Sequence, residues 1–343
     1  TEIYTLSLHD ALPIFLMLLA ALTVGSCGSD NDGPGGGGDN GETGGGIVNT
    51  NTNANVVTPG MPDEITRLEF PKVKKGTSEV IVHETDLYGV NFCTEFDTSK
   101  KSQRWSCYAV YKSNNLKGWD RDYWKYNHPY WDNKTWNGDP FQLDPQLPAN
   151  VQPGVHEFSS SSMPSEGITY FQRGHIVASE DRICSMDVNG QTFYMTNMQP
   201  QREEFNNGIW KKMEGKIRNL LTYNMSTQTA YANDTMYVCK GGTIDKSEQI
   251  LGYTKNRFIV PKYFFAAIMI KNKSGHKAIG FWFEHKDYPS TEKLSAHIVN
   301  IAKLEELTGI DFFCNLPDDE ERLIENVNIT PSYLQTVWSK IIN

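Results

Sequence analysis

The order of apolar and polar residues along the chain predicts several β-strands. Residues 105–112 (WSCYAVYK), 192–198 (TFYMTNM) and 235–243 (TMYVCKGGT) are short runs with the alternation or the aromatic and β-branched content that is typical of strands. Two further apolar runs predict strands at 258–270 and 278–284. These runs do not alternate regularly with helices, so they favour an antiparallel sheet over a parallel one.

One stretch between these strands has the spacing of a helix. Within residues 202–221, apolar side chains recur every three or four positions. At 100° per residue, Asn206 and Glu214 lie about 80° apart around such a helix, so both can face one cleft. A shorter helix is predicted at 302–309, where Gly309 ends it. The pattern therefore predicts the α+β class, with a central antiparallel sheet flanked by helices. The apolar positions of the long helix are Phe205, Ile209, Met213, Ile217 and Leu220.

The first 26 residues are interpreted as an artefactual start followed by a lipoprotein signal segment. Residues 5–14 resemble a translated sequencing adapter, and residues 15–27 form an apolar run of signal-peptide length that is too short to span a bilayer. The small residues before Cys27 resemble a bacterial lipobox, which implies cleavage before Cys27 and lipid attachment to its sulfur. An ordinary secretory signal with a chance cysteine is the alternative, and either interpretation implies export.

Residues 27–64 are rich in Gly, Asn, Asp and Thr, and such a composition predicts a disordered tether. The folded domain is predicted to cover residues 65–343. A lipid on Cys27 would hold this domain at a bacterial membrane. We expect the outer membrane, with the domain facing the periplasm or the outside.

The net charge and the cysteines restrict which ligands, disulfide bonds and metal sites can be expected. The formal net charge of the 343 residues is -9, so binding to nucleic acid requires a local basic patch. If Cys27 carries a lipid, five cysteines remain, which cannot all pair within one chain. A local bridge between Cys93 and Cys107 is one open pairing. No CxxC spacing occurs, so a zinc cluster is not predicted.

Three short motifs follow one another in the middle of the chain. Gln172-Arg173-Gly174-His175 is followed by TNMQPQ (196–201) and by NNGIWKKME (206–214). Together they resemble the signature of the DNA/RNA non-specific endonucleases of the ββα-metal (His-Me finger) superfamily, which reads D-R-G-H, T-N-x-x-P-Q and N-x-G-x-W-x-x-L-E. The resemblance covers most of residues 65–320. It implies the ββα-metal nuclease fold and an endonuclease domain over 65–343.

The resemblance also implies a general base and a metal site. His175 would be the base that activates a water molecule, since a neutral imidazole accepts protons near neutral pH. Asn206 would bind one Mg²⁺, with Mn²⁺ as an alternative ion, and Glu214 would contact the ion through water. Mg²⁺ keeps several waters, so one amide ligand suits it. The alternative for Asn206 is a helix N-cap.

Three further residues have implied roles around the phosphate. Arg173 and Arg218 would contact its oxygens, which a guanidinium group fits well. Asn197 would orient the site without touching the reacting atoms. The substrates implied are DNA and RNA, both held through the phosphate backbone, which carries little base information.

Two departures from the family signature concern charge. Gln172 stands where the motif has Asp, which removes a carboxylate. The second phosphate-contacting arginine of the family has no clear counterpart, and Lys134 and Arg121 are the candidates. Nearby aromatic residues either pack a long loop, which we favour, or stack on bases. They are Trp119, Tyr123, Trp124, Tyr126, Tyr130 and Trp131.

The sequence thus leads to one principal hypothesis and two alternatives. The principal one is a Mg²⁺-dependent, sugar-non-specific endonuclease that hydrolyses phosphodiester bonds of DNA and RNA. The first alternative is a catalytically weakened surface lipoprotein of the same fold that binds nucleic acid or a protein partner, which Gln172 favours. The second is a phosphodiesterase for smaller substrates. The presence of His175, Asn206 and Glu214 favours an enzyme.

Overall fold

A central antiparallel sheet organises the folded chain. The computed structural model describes residues 50–74, 76–125, 138–221 and 235–342. Within them the strands are β1 (Ser78–Thr85), β2 (Gly89–Asp97), β3 (Ser102–Tyr111), β4 (Gln172–His175), β5 (Met198–Gln201), β6 (Thr235–Gly242), β7 (Ile250–Tyr253), β8 (Ile259–Pro261), β9 (Tyr263–Asn272), β10 (Gly275–Glu284) and β11 (Ile298–Val299). Seven of them form the main sheet in the order β1-β2-β3-β6-β9-β10-β11. The pairs β4-β5 and β7-β8 form two separate ribbons.

Both faces of the main sheet are buried, as β9 illustrates. Phe264 and Ile268 point into one hydrophobic core, whereas Phe265 and Met269 point into a second core on the opposite face. Successive side chains of a strand alternate between the two faces. A central strand that is covered on both sides is therefore continuously apolar, which explains the unbroken hydrophobic run in this part of the sequence.

Helices cover the two faces of the sheet. They are α1 (Met186–Gln191), α2 (Glu203–Phe205), α3 (Lys211–Arg218), α4 (Ile301–Thr308), α5 (Asp318–Glu325), α6 (Pro331–Val337) and α7 (Ser339–Ile342). Apolar residues of α3, α6 and α7 join the first core, and those of α4 and α5 join the second. The predicted α+β class, with a central antiparallel sheet flanked by helices, is confirmed. Among the described residues, no helix has both the length and the apolar character needed to cross a membrane.

Most of the predicted elements are present. The strands expected at 105–112, 235–243 and 278–284 correspond to β3, β6 and β10. The run at 258–270 is divided between β8 and β9. The helix expected at 302–309 is α4, and Gly309 follows it with a left-handed φ of 75°.

The strand predicted at 192–198 is wrong. Residues Met195–Asn197 form a short 3-10 helix, and β5 begins only at Met198. The side chain of Asn197 donates a hydrogen bond to the carbonyl of Thr192, and its backbone N–H donates to the carbonyl of Tyr194. These bonds within the segment hold it in a turn, which competes with an extended strand.

The predicted tether extends too far along the chain. It was expected to be disordered as far as residue 64, but residues 50–55 form hydrogen bonds with the C-terminal part of the domain. Asn51 donates to the carbonyl of Leu316 at 2.6 Å, and the buried side chain of Asn55 donates to the carbonyls of Ile65 and Pro71. Polar side chains that bond to backbone groups in this way order a segment that has few apolar residues. Residues 1–49 lie outside the described residues.

No disulfide bond forms among the described cysteines. Cys93 and Cys107 face each other across β2 and β3, yet both are free thiols, as are Cys184, Cys239 and Cys314. Burial raises the pKa of the Cys93 and Cys107 thiols well above the ordinary value, so both are protonated. They pack as small hydrophobic residues of the second core. The bridge considered between them is therefore absent.

Candidate active site

The ribbon β4-β5 presents Arg173 and His175 at the edge of a cavity. Gly174, between them, lies directly over the side chain of Gln201 on the neighbouring strand. A Cβ atom at this position would come within 2.3 Å of that side chain, so any larger residue here would force the Gln201 side chain to move. The glycine of the motif thus allows the ribbon to close while its two neighbours project toward the cavity.

Asn197 fixes the chain immediately after His175. Its amide Nδ2 donates to the carbonyls of Val177 and Thr192, at 2.9 and 2.8 Å, and its Oδ1 accepts from the N–H of Val177 at 2.9 Å. The side chain is fully buried and is not among the described residues that line the cavity. Asn197 is therefore placed as a positioning residue.

The helical segment brings the second set of residues. Between α2 and α3 the chain makes one π-helical turn, Asn206–Trp210, which departs from the uniform helix that the periodicity predicts. Trp210 is buried, and its Nε1 donates to the carbonyl of His175 at 3.2 Å. This bond ties the helix to β4. The N-cap interpretation of Asn206 is wrong, because the helix begins at Glu203.

One cavity of about 310 Å³ collects the side chains that the sequence singled out. Of the six residues predicted for the site, five line it, and only Asn197 lies behind its wall. Arg121 also lines it, which makes Arg121 the candidate for the second phosphate-contacting arginine, whereas Lys134 lies outside the described residues. The lining includes Arg121, Phe141, Gln172, Arg173, His175, Glu180, Asn206, Lys211, Glu214 and Arg218.

Cationic side chains outnumber carboxylates around this cavity. Four cations line it, and two carboxylates, Glu180 and Glu214, face them. The guanidinium of Arg173 lies 3.5 Å from the centre of the Phe141 ring, and its Nη1 lies 3.0 Å from an oxygen of Asp139. The cavity is thus the local basic patch that a protein of net charge -9 needs in order to bind a phosphate. The cations are Arg121, Arg173, Lys211 and Arg218.

A buried ion cluster supports the floor of the cavity. The ammonium of Lys240, which is fully buried, lies 3.0 Å from Glu214 and 3.8 Å from Asp181. Arg218 contacts the other oxygen of Asp181 at 2.7 Å, and the hydroxyl of Tyr108 donates to Asp181 at 2.6 Å. This set, Tyr108, Asp181, Glu214, Arg218 and Lys240, is called the site cluster below. Its charges alternate, so each carboxylate has a cationic neighbour.

The comparison with known families agrees with this geometry. Residues 74–319, most of the chain, match the family described as DNA/RNA non-specific endonuclease. The chain belongs to this family. Membership confirms the resemblance seen in the three motifs, and it accounts for the side chains that meet in the cavity.

Proteins that are similar in sequence to this chain are described as nucleases. The chain is 27% identical over 212 residues to a nuclease of Nostoc sp., covering 57% of this chain and 68% of the relative. It is 24% identical over 173 residues to the human mitochondrial endonuclease G, covering 47% of this chain and 54% of the relative. The chain therefore spans about half to two thirds of these relatives.

The fold is shared with a solved structure of the same group. A chain in the crystal structure of the EndoG/EndoGI complex superposes with a TM-score of 0.51 and 17% identity, over 70% of this chain and 88% of that chain. At this identity the likeness concerns the fold alone. It confirms the ββα-metal nuclease fold.

Two side chains of the site cluster, Lys240 and Asp181, were not singled out from the sequence. Lys240 interrupts an otherwise apolar strand, β6, and such an interruption is itself a signal of a buried charge. Asp181 lies in a short 3-10 helix after the His175 strand, in a polar segment whose composition is typical of any loop. Lys240 lies in CKGGT (239–243), a stretch that also resembles the family, but no role was expected for it.

The surroundings shift the pKa values of the two carboxylates of the site cluster in opposite directions. Burial raises the pKa of Glu214, and Lys240 offsets this only in part because Asp181 lies close by. Burial would also raise the pKa of Asp181, but Lys240 and Arg218 outweigh it and the pKa falls below its usual value. Asp181 is therefore the fixed negative charge that anchors Arg218.

His175 is neutral at physiological pH. Its imidazole packs edge-on against Phe193, with ring centres 5.1 Å apart, and its Nε2 is buried without a hydrogen-bond partner among the described residues. Burial lowers the pKa of His175 well below its usual range, and the nearby cations Arg121 and Arg173 lower it further. A neutral imidazole can accept a proton.

The oxygen donors at the cavity fit a hard divalent cation. Members of this family generally depend on such an ion. Asn206 lines the cavity, and its side chain forms no hydrogen bond with any described residue, so its amide oxygen is available. The carboxylate of Glu214 reaches the same cavity. An amide and a carboxylate oxygen suit an ion that retains most of its water, as Mg²⁺ does.

Proposed function

We propose that this protein is a Mg²⁺-dependent, sugar-non-specific endonuclease that hydrolyses the phosphodiester bonds of DNA and RNA. One observation carries the proposal. Two separate segments, the β4 strand and the π-helical turn with α3, place a neutral histidine, an available amide oxygen and two arginines around a single cavity. Hydrolysis of a phosphodiester needs a base, a stabiliser of charge on phosphorus and assistance to the leaving oxygen.

In this proposal His175 takes the proton of the attacking water. Its lowered pKa keeps the imidazole neutral and thus able to accept a proton, and the rings of Phe193 and Phe141 restrict its orientation. Asn197 holds the backbone that follows His175, so the imidazole is fixed before substrate binds. A positioned general base typically contributes about 100- to 10,000-fold to a rate.

Arginine side chains hold the phosphate in this mechanism. Arg218 is anchored by Asp181, and Arg173 is anchored by Asp139 and by the Phe141 ring, so both are oriented in advance. Arg121 adds a third guanidinium on the cavity wall. Mg²⁺ held by Asn206, with Glu214 contacting it through water, would stabilise charge on the phosphate and on the leaving 3′-oxygen.

Gln172 supports the alternative of a weakened enzyme that mainly binds nucleic acid. It lines the cavity at the position where the family signature has Asp. Gln retains hydrogen bonding but lacks the charge of a carboxylate. The lowered pKa of His175 and the ordered arginines are the features of a working site, so we favour the enzyme.

The location of the enzyme is a separate proposal. We propose that the protein is exported and that a lipid on Cys27 anchors it to a bacterial membrane. Of the bacterial membranes, we favour the outer membrane. The lipobox-like residues before Cys27 support it. Mass spectrometry of the native protein should find a lipidated cysteine as the first residue, and an unmodified N-terminus elsewhere would contradict it.

Cleavage of nucleic acid tests the catalytic proposal. The purified full chain should degrade plasmid DNA and ribosomal RNA with Mg²⁺, and excess EDTA should stop both reactions. Mn²⁺ should restore part of the activity. His175→Ala should remove the activity, and the matched control is His156→Ala, which alters an exposed histidine outside the described lining of the cavity. Cleavage that continues at the same rate in EDTA would contradict the metal dependence.

A further inference from the structure

A second cavity adjoins the catalytic one. It has a volume of about 350 Å³, and it shares Arg121 and Glu180 with the catalytic cavity. We call it the aromatic cavity, because Trp119 and Tyr123 form part of its wall. The rest of its described lining is Lys117, Gly118, Asp120, Arg121, Glu180 and Ile183. A ligand that occupies both cavities must therefore pass beside Arg121.

The wall of the aromatic cavity is held in a defined position. The N–H groups of Gly118 and Trp119 both donate to the carbonyl of Ile183, at 2.9 and 2.8 Å. A Cβ atom on Gly118 would lie 2.1 Å from the carbonyl oxygen of Cys184, so only glycine allows this close approach. The loop is thus fastened to the segment that follows His175 in the chain.

The aromatic rings combine a buried support with an exposed surface. Trp124 is buried, and its Nε1 donates to Asn189 at 2.7 Å. Trp119 packs against Trp124, and Tyr123 packs edge-on against Trp119 with ring centres 5.2 Å apart. Tyr123 itself is 48% exposed. The ring of Tyr123 therefore has a fixed support on one side and is open to solvent on another.

We propose that the aromatic cavity binds an unpaired nucleotide next to the phosphate that is cleaved, with its base against Tyr123 and Trp119. This inference rests on the proposed function. Stacking on aromatic side chains is the common way in which proteins bind single strands, because every base has an exposed π-face once it leaves a duplex. Lys117, which also lines the cavity and is exposed, would meet the next phosphate along the strand.

The carboxylates of the lining fit a base better than a phosphate. Asp120 and Glu180 both line the cavity, and each can accept hydrogen bonds from exocyclic amino groups. A phosphate placed beside Asp120 and Glu180 would meet two like charges. In this proposal the base therefore lies beside these two carboxylates, and the backbone lies near Lys117 and Arg121. A consequence is that the enzyme should prefer single-stranded over duplex substrates.

Tyr123→Ala tests this inference. We expect KM for a mixed-sequence single-stranded oligonucleotide to rise about fivefold or more, since stacking of one base is worth about 1–3 kcal/mol by alanine substitution. KM for a blunt hairpin duplex should change much less. The rate on a small activated phosphodiester, which cannot reach the aromatic cavity, should stay at the parent value. Tyr123→Phe should retain the parent KM because it keeps the ring.

Tyr253→Ala is the matched control. Tyr253 is 42% exposed, carries Arg257 at 4.5 Å from its ring centre, and lines neither cavity among the described residues. The inference is overturned if Tyr123→Ala and Tyr253→Ala give the same KM for the single strand. It is also overturned if Tyr123→Ala raises KM equally for the single strand and the duplex. Melting curves of each variant establish that the fold is intact.

Binding measurements separate this inference from the proposed function. Fluorescence anisotropy of a labelled single strand is measured with His175→Ala, alone and combined with Tyr123→Ala. If the parent protein cleaves nothing, the proposed function fails, and the anisotropy still decides the inference. If the parent cleaves and the double variant binds the strand as tightly as His175→Ala, the nuclease stands and the aromatic cavity has no role in binding.

Discussion

Two groups of carboxylates lie partly or wholly out of water in this protein, and they are neutralised in different ways. The site cluster surrounds Asp181 and Glu214 with Lys240 and Arg218. A second group, formed by Glu305, Asp311, Glu321 and Glu325 near the C-terminal helices, is called the acidic cluster here. In it, Glu305, Asp311 and Glu325 each bring a carboxylate oxygen within 4.8 Å of the others.

The carboxylates of the acidic cluster differ from Asp181 of the site cluster, because no cation among the described residues offsets their burial as Lys240 and Arg218 do for Asp181. Burial, with Glu325 close by, raises the pKa of Glu305 to about 9, and burial raises the pKa of Glu321 and of Glu325 to about 7. The amide of Asn53 donates to Asp311 and Glu321, and Lys72 is the nearby cation, but neither compensates all the carboxylates. Without matching cations, the acidic cluster holds protons near neutral pH.

The comparison of the two clusters shows what keeps a buried carboxylate ionised. A carboxylate remains ionised in a poorly solvated place only when cations and hydrogen-bond donors outweigh its desolvation. Asp181 satisfies this condition, and it can therefore orient Arg218 for a phosphate. The acidic cluster does not satisfy it. Its charge, unlike that of Asp181, should depend on pH in the neutral range.

The largest expected effect follows from removing the central cation of the site cluster. Lys240→Met leaves Asp181 and Glu214 buried without their shared ammonium group. Breaking a buried ion pair from one side typically costs about 3–5 kcal/mol, so the free energy of unfolding should fall by about that amount. Chemical denaturation monitored by tryptophan fluorescence measures it.

Lys286→Met is the control for this change. Lys286 pairs with Glu284 at 2.7 Å, but both side chains are about half exposed. Exposed pairs contribute little to stability, so no clear change is expected. Equal destabilisation by the two substitutions would show that the site cluster is not held together by Lys240.

The next effect concerns the arginine that the site cluster anchors. Arg218→Ala should lower kcat by about 100- to 1,000-fold, the range typical of removing one group that stabilises transition-state charge. Arg218→Lys should recover only part of it, because an ammonium lacks the planar fork that contacts both Asp181 and a phosphate. Steady-state kinetics on DNA provides the values. Arg322→Ala, on the exposed side of α5, should leave kcat unchanged.

A smaller effect is expected for the acidic cluster and concerns pH. The folded-state pKa of Glu305 and Glu325 lies above that of an unfolded chain, so the folded state binds more protons. The contribution of these groups is therefore fully present at low pH and is lost as the pH rises through about 7 to 9. With EDTA present, Tm should fall between pH 6 and pH 9 by about 2–4 °C for each kcal/mol lost.

Glu305→Gln should flatten this dependence, because it removes one of the interacting carboxyl groups. Glu306→Gln, on the exposed side of the same helix, should retain it. Differential scanning calorimetry at matched ionic strength measures both. A parent protein whose Tm does not fall over this pH range more than that of Glu305→Gln would contradict the assignment.

The smallest expected effect is that of Gln172→Asp. The substitution restores the carboxylate of the family signature beside Arg173, and it should keep or modestly raise kcat. Gln172→Asn, which shortens the side chain without adding charge, separates the effect of charge from that of length. A collapse of kcat in Gln172→Asp with an unchanged melting curve would show that Gln172 belongs to a different design of the site.

The sequence predicted the residues that belong to short motifs and missed those that act through distant packing. His175, Asn206 and Glu214 line one cavity, as the order of their motifs led us to expect. A charge inside the apolar strand β6 indicated that Lys240 is buried, but its partners Glu214 and Asp181 come together only through tertiary packing, which the local sequence does not encode.

Composition gave a wrong prediction where polar side chains, rather than apolar packing, hold a segment against the domain. Residues 50–64 have the polar composition of a tether, yet amides such as that of Asn55 fasten them to the domain. The strand predicted at 192–198 failed for a related reason, since the side chain of Asn197 holds that segment in a turn. Strands buried on both faces, such as β9, were predicted well because their apolar runs are continuous.

The most direct test of the proposed mechanism separates the base from the metal site. Mg²⁺ binding by calorimetry and turnover of DNA are measured for His175→Ala and Asn206→Ala. We predict that His175→Ala binds Mg²⁺ like the parent but loses about 100- to 10,000-fold in turnover. Asn206→Ala should lose both. Loss of Mg²⁺ by His175→Ala as severe as that by Asn206→Ala, or cleavage by His175→Ala at the parent rate, would contradict the mechanism.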